Sequence, residues 1–78
     1  MTIIIISGDQ KVHYSMICKK TQKFTEIEHF LYQKYPEYLE SENFFLSNGK
    51  KINKYRTLEE NKIKNSEIIT LYKYVDSE

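Results

Sequence analysis

An α+β fold, with one helix packed on a small sheet, is the architecture that this 78-residue sequence predicts, on three observations. Near the amino terminus, two stretches of β-branched or alternating residues are joined by turn residues. A single segment further on carries apolar side chains at helical spacing. Beyond it, an Asn-Gly turn sits between two short alternating runs, and a last alternating run follows.

Residues 2–7 read as a strand, because Thr and four consecutive Ile favour the pleated backbone. Residues 12–18 alternate: Val12, Tyr14, Met16 and Cys18 on one face, His13, Ser15 and Ile17 on the other. Between them, Ser7-Gly8-Asp9-Gln10-Lys11 supplies turn chemistry, so the two strands form a hairpin. The helix runs from Phe24 to Lys34, with Phe24, Ile27 and Leu31 on one face. Thr25 and Glu28 stand at capping-box spacing. Pro36 ends the helix, since the residue before a proline is pushed out of the helical region. Residues 37–43 are expected to be a surface connection, with Leu39 tucked under the helix end.

Phe44–Leu46 and Lys50–Ile52 form a second hairpin, because Asn48 and Gly49 tolerate the positive φ of a two-residue turn. Thr57 and Glu60 repeat the capping-box spacing and predict one helical turn. Residues 67–74 are the last strand. The expected boundaries are one domain over residues 1–74 and a short acidic tail over 75–78. A chain of this length builds one core, and seven Tyr with four Phe supply much of its burial.

Composition narrows the function. Twelve basic against eleven acidic residues leave a formal charge of +1, so no global field favours nucleic acid. The local cluster Lys50, Lys51, Lys54 and Arg56 reads as a solvated turn. The apolar run Ile3–Ile6 is too short for a signal-peptide core or a bilayer span, so no membrane is expected. One cysteine, Cys18, forms no intrachain disulfide and fits a reducing compartment, which makes cytoplasm or nucleus the expectation.

Nor does any constellation call for an enzyme or a cofactor. His13 lies on the face of its strand opposite Cys18, which disfavours a Cys–His nucleophile. With His29 on the helix, the histidines and the cysteine lack metal-ligand spacing. Glu40, Glu42, Glu59 and Glu60 read as surface carboxylates, and both glycines serve turns. The expected catalytic, metal and cofactor sets are therefore empty.

The run Phe45-Leu46-Ser47-Asn48-Gly49-Lys50-Lys51-Ile52, followed by Arg56-Thr57-Leu58 and by Ile63 to Leu71, resembles the second half of a ubiquitin-like domain without a gap. The resemblance implies a β-grasp fold whose first and last strands pair in parallel at the sheet centre. It also implies inward positions for Ile3, Ile5, Phe45, Ile52, Leu58, Ile63, Ile69 and Leu71. Ile4, Ile6, Phe44, Leu46, Ile68, Thr70, Tyr72 and Tyr74 then face outward, a choice that four consecutive isoleucines do not reveal by polarity.

In that family a protein-binding patch centres on the aliphatic residue before the tight turn, here Leu46. Thr70 and Tyr72 complete it with the first hairpin loop, Lys50 flanks it, and Gly49 lets partners approach the turn. The implied surface is Ile4, Ile6, Phe44, Leu46, Gly49, Lys50, Thr70, Tyr72 and Tyr74. Departures are specific. Phe44 and Tyr74 replace flanking arginines, Thr70 and Tyr72 replace the patch histidine and valine, and Ile6 replaces a lysine. Asn61 replaces a tyrosine that braces the family's fold, and Asn65 stands where the family carries a chain-linking lysine. In place of a carboxyl-terminal Gly-Gly the chain reads Tyr74-Val75-Asp76-Ser77-Glu78.

The function expected from the resemblance is protein–protein recognition by a monomeric, non-catalytic module of a larger protein. Its partner is a protein that binds ubiquitin-like domains or a neighbouring domain of the same polypeptide. The alternative is a ubiquitin-like modifier released from a polyprotein, beside an intein-like self-processing segment, and joined to targets without a Gly-Gly end.

Overall fold

A computed structural model of the chain describes residues 1–74. Its elements in chain order are β1 (Thr2–Ser7), β2 (His13–Ile17), α1 (Phe24–Lys34), a 3-10 helix (Pro36–Glu40), β3 (Asn43–Ser47), β4 (Lys50–Lys51) and β5 (Glu67–Lys73). The acidic tail read at 75–78 lies outside the described residues. The strands form one mixed sheet in the order β2-β1-β5-β3-β4. β1 and β5 pair in parallel at its centre, Ile3 opposite Glu67 through Ser7 opposite Leu71, and every other pairing is antiparallel. This is the α+β, β-grasp arrangement.

Alternation sets the layers. Ile3 and Ile5 of β1, Phe45 of β3, and Ile69 and Leu71 of β5 point to the helix side and are fully or almost fully buried. Phe24, Ile27 and Leu31 of α1 meet them at 0% exposure, and Val12, Cys18, Ile52, Leu58 and Ile63 close the margins. Phe24 and Phe45 stand edge to face with ring centroids 4.8 Å apart. Burying each such side chain contributes ~1.5–3 kcal/mol.

Local chemistry differs from expectation at two places. The helix starts at Phe24 as expected, but its N-cap is Lys23 and the capping box is not Thr25–Glu28: Glu26 reaches back to the Lys23 N–H at 3.4 Å. Tertiary contacts satisfy the first helical donors: Phe24 N–H donates to Arg56 O (3.0 Å) and Thr25 N–H to Lys54 O (2.9 Å). Thr25 therefore has no capping role, and Glu28 instead accepts from Tyr32 (2.6 Å) and pairs with Lys54 (3.1 Å).

The second correction concerns Leu39, which is 67% exposed, whereas Tyr38 is buried. Pro36 opens a 3-10 helix, and its tighter turn carries Tyr38 inward while Leu39 turns to water. The Asn43 side chain holds this turn by donating to Tyr38 O at 2.9 Å.

The second capping box forms as spaced: Glu60 N–H donates to Thr57 Oγ1 (3.0 Å) and Thr57 N–H to Glu60 Oε1 (2.9 Å). That backbone hydrogen bond is the main cause holding the Glu60 carboxyl below its usual range. The segment closes as one turn, with Asn61 N–H on Thr57 O. Asn61 also braces the neighbouring loop, its side chain accepting from Asn53 N–H and donating to Asn53 O and Thr57 O, each at 2.9 Å. Among the described residues, no helix is long and apolar enough to cross a membrane.

Candidate functional site

With the core residues facing α1, the same period of two turns Ile4, Ile6, Phe44, Leu46, Ile68, Thr70 and Tyr72 to the open face of the sheet. Register makes them neighbours. Ile4 stands opposite Ile68, Ile6 opposite Thr70, Thr70 opposite Leu46, and Tyr72 opposite Phe44. One row thus runs Ile6–Thr70–Leu46 across three strands and continues to Lys51 on β4. Ile68, Tyr72 and Tyr74 are 54%, 40% and 46% exposed, and Ile4, Ile6, Phe44, Leu46 and Thr70 are half-buried by one another.

One corner of the face is aromatic. Phe44 stacks on Tyr72 with centroids 5.5 Å apart and lies 4.7 Å from the Tyr74 ring. Backbone pairing of Tyr74 N–H with Glu42 O (2.8 Å) carries the chain beyond β5 far enough to place that ring. The Lys51 ammonium sits 5.8 Å from the Phe44 centroid and 5.0 Å from that of Tyr74, and donates to the Tyr74 hydroxyl. Gly8 borders the same corner. A Cβ there would come within 2.8 Å of Cε1 of Tyr72, so the missing side chain lets that ring lie flat on the first hairpin loop.

Lys51, which by sequence belongs to a solvated basic turn, joins the open face. A two-residue turn at Asn48-Gly49 pairs Ser47 with Lys50 and Leu46 with Lys51. Lys51 therefore shares the face of Leu46, while Lys50 shares that of Ser47 and lines a groove with Asn61 and Lys62. Counting outward from the turn is the signal that finds it. Gly49, at φ +79°, has open space where a Cβ would stand, so its role lies in the left-handed backbone of the turn, which Asn48 shares at φ 54°.

The groups weighed for chemistry lie apart. Cys18 is buried and free, and burial pushes its thiol up from the ordinary value. His13 is exposed across from Ile6, on the open face. Among the described residues, no group of three His, Cys, Asp or Glu is gathered for a metal ion. Because the thiolate is the reactive species, we expect Cys18 to react with a small alkylating reagent far more slowly in the native protein than in urea. Equal rates, followed by mass spectrometry, would contradict the burial of Cys18 beyond the end of β2.

Among the described residues, the open face offers apolar area, phenol hydroxyls, the Lys51 ammonium and the His13 ring, on backbone fixed by the sheet. Neither the scan against protein-family models nor the search of curated proteins yields a match to this chain.

Proposed function

We propose that the protein is a ubiquitin-like, non-catalytic recognition module that binds a protein partner through the open face of its sheet, and that it works as part of a larger polypeptide. The observation that carries this reading is the contiguity of Ile4, Ile6, Ile68, Leu46, Phe44, Tyr72 and Tyr74 over adjacent strands. Isolated exposed apolar side chains are ordinary. A continuous apolar patch is less ordinary, and beyond a few hundred Å2 it marks an interaction site. Tyr72, Phe44 and Tyr74 resemble the aromatic anchors that are enriched at interfaces, with Lys51 beside them.

The resemblance over residues 45–71 supports the same surface, with Leu46 at its centre. Replacement of the family's arginines by Phe44 and Tyr74 favours partners other than those that read ubiquitin. The lone buried cysteine supports a reducing compartment, cytoplasm or nucleus.

Affinity capture from cell extract with the wild-type chain, Leu46→Ala and an exposed control outside the sheet, Lys20→Ala, tests the reading. Proteins recovered by the wild type and the control are expected to be lost with Leu46→Ala, by ~1–3 kcal/mol of affinity. Recovery that is indifferent to Leu46 would remove the open face from recognition.

A further inference from the structure

The two edges of the sheet are guarded differently. β4 is two residues long and both are lysine, the short, charged form that keeps an edge from pairing with another strand. β2, at the other edge, is His13-Tyr14-Ser15-Met16-Ile17, five residues without Lys, Arg, Asp, Glu or Pro. Ile17 is 84% exposed, and Phe30 of α1, 44% exposed, lines a shallow groove along this edge with Tyr14 and Met16.

The phase of the β1–β2 ladder shows which backbone groups the edge presents. Met1 and Cys18 exchange both hydrogen bonds at 2.8 Å, and Ser7 N–H donates to Val12 O at 3.1 Å. In the observed register Ile3–Met16 and Ile5–Tyr14 are then also hydrogen-bonded pairs. Tyr14 and Met16 thus turn their backbone groups to β1, and His13, Ser15 and Ile17 turn theirs outward.

From this edge we infer that β2 pairs antiparallel with β2 of a second copy of the chain, about a two-fold axis at Ser15. In that register His13 faces Ile17, Tyr14 faces Met16, and Ser15 faces itself. The outward-pointing groups of residues 13, 15 and 17 meet in phase and form roughly six hydrogen bonds. No like charges oppose one another within the ladder, and the residue on the axis is small. On the helix side, each Tyr14 ring meets a methionine sulfur.

One step beyond each end, the register brings Lys11 toward Lys19 of the other copy. This confines the ladder to β2 and makes association tighten as salt rises. A five-residue ladder buries less than the ~800 Å2 per partner of a standard interface, so the dimer is weak and transient. The expected monomer is the dilute form. The inference uses the sheet edge and is independent of what binds the open face.

Sedimentation analysis and amide hydrogen exchange across a concentration series test it. As concentration or salt rises, the average mass is expected to increase, while exchange slows at Ser15 and Ile17 and stays unchanged at Tyr14 and Met16. Ser15→Lys, which opposes two ammonium groups on the axis from an exposed position, is expected to weaken association at least tenfold at an unchanged melting temperature. Ser15→Thr is expected to keep it. A chain that is monomeric throughout, or a dimer indifferent to Ser15→Lys, would overturn the proposal. So would protection of Ser15 and Ile17 that appears only when an extended segment of another protein is added.

Discussion

Replacing Phe45 by Ala is expected to cost roughly 3–5 kcal/mol of folding stability, whereas Leu46→Ala, one residue on, stays within about 1 kcal/mol. Phe45 is 0% exposed, its ring stands against Phe24, and β3 hands it to the core between β5 and β4. Removing the ring forfeits its transfer energy and leaves a cavity that its buried neighbours Phe24 and Leu71 fill only in part. A domain of this size has on the order of 4–12 kcal/mol to lose, so Phe45→Ala can approach complete unfolding.

Phe45→Leu keeps the comparison measurable, at an expected cost of about 1–2 kcal/mol. Leu46 lies half-exposed on the other face, where truncation removes contact area without opening the interior. Urea denaturation of the three variants reads the contrast. If Leu46→Ala unfolds the chain and Phe45→Ala is silent, β3 is registered one residue off and the open face is the core.

A second large effect is expected at Asn43, a buried polar residue that opens β3. Its two amide protons go to Tyr38 O (2.9 Å) and the Tyr32 hydroxyl (2.8 Å), with Ser41 O sharing one of them at 3.2 Å, and its carbonyl accepts from Ser41 Oγ (2.7 Å). The Tyr32 hydroxyl in turn donates to Glu28, whose carboxylate pairs with Lys54. Burial, reinforced by Glu28, pushes the Tyr32 hydroxyl far above its ordinary value, so it remains a donor at any physiological pH.

Asn43→Ala leaves the Tyr38 carbonyl only the long contacts from Ser41 Oγ (3.4 Å) and Ser41 N–H (3.5 Å), and removes the amide tie between the 3-10 helix and β3. The expected cost is roughly 2–3 kcal/mol, read as a fall in melting temperature of about 10–20 °C. Asn43→Asp is expected to be worse, because it removes the donor and sets a second carboxylate near Glu28. A shift of only a degree or two for Asn43→Ala would show that the network is decoration on a turn that Pro36 holds alone.

The strength of the local signals decided what was legible in the sequence. Phe24, Ile27 and Leu31 gave α1 its boundaries because helical period, Pro36 and the preceding polar stretch agree. Asn48-Gly49 identified its turn because the required positive φ leaves few residue choices. The facing of β1 was not legible from periodicity, since four isoleucines alternate nothing, and the family resemblance supplied it.

Tyr38 and Leu39 were exchanged because a 3-10 helix, with three residues per turn, shifts the inward position that an irregular connection suggests. Thr25 carried a valid cap spacing, yet the Lys54–Arg56 backbone had already satisfied the donors, a tertiary fact with no local trace. Of the candidate surface, the sheet residues are brought together, whereas Gly49 stands at the turn tip and Lys50 on the other side of β4 from Leu46. Lys51 and its ring contacts were missed because a lysine beside a lysine carries no signal until the turn is counted through.

Site-specific photo-crosslinking tests the central claim, recognition through the open face, most directly. A photoreactive residue placed at exposed Ile68, on the face, is compared in cell extract with one at exposed Tyr55 and one at exposed His29, both off it. Discrete protein adducts are expected from position 68 and none from 55 or 29, and Leu46→Ala is expected to abolish them. Adducts that form from His29 or Tyr55 and persist with Leu46→Ala would place recognition elsewhere on the molecule and contradict the account.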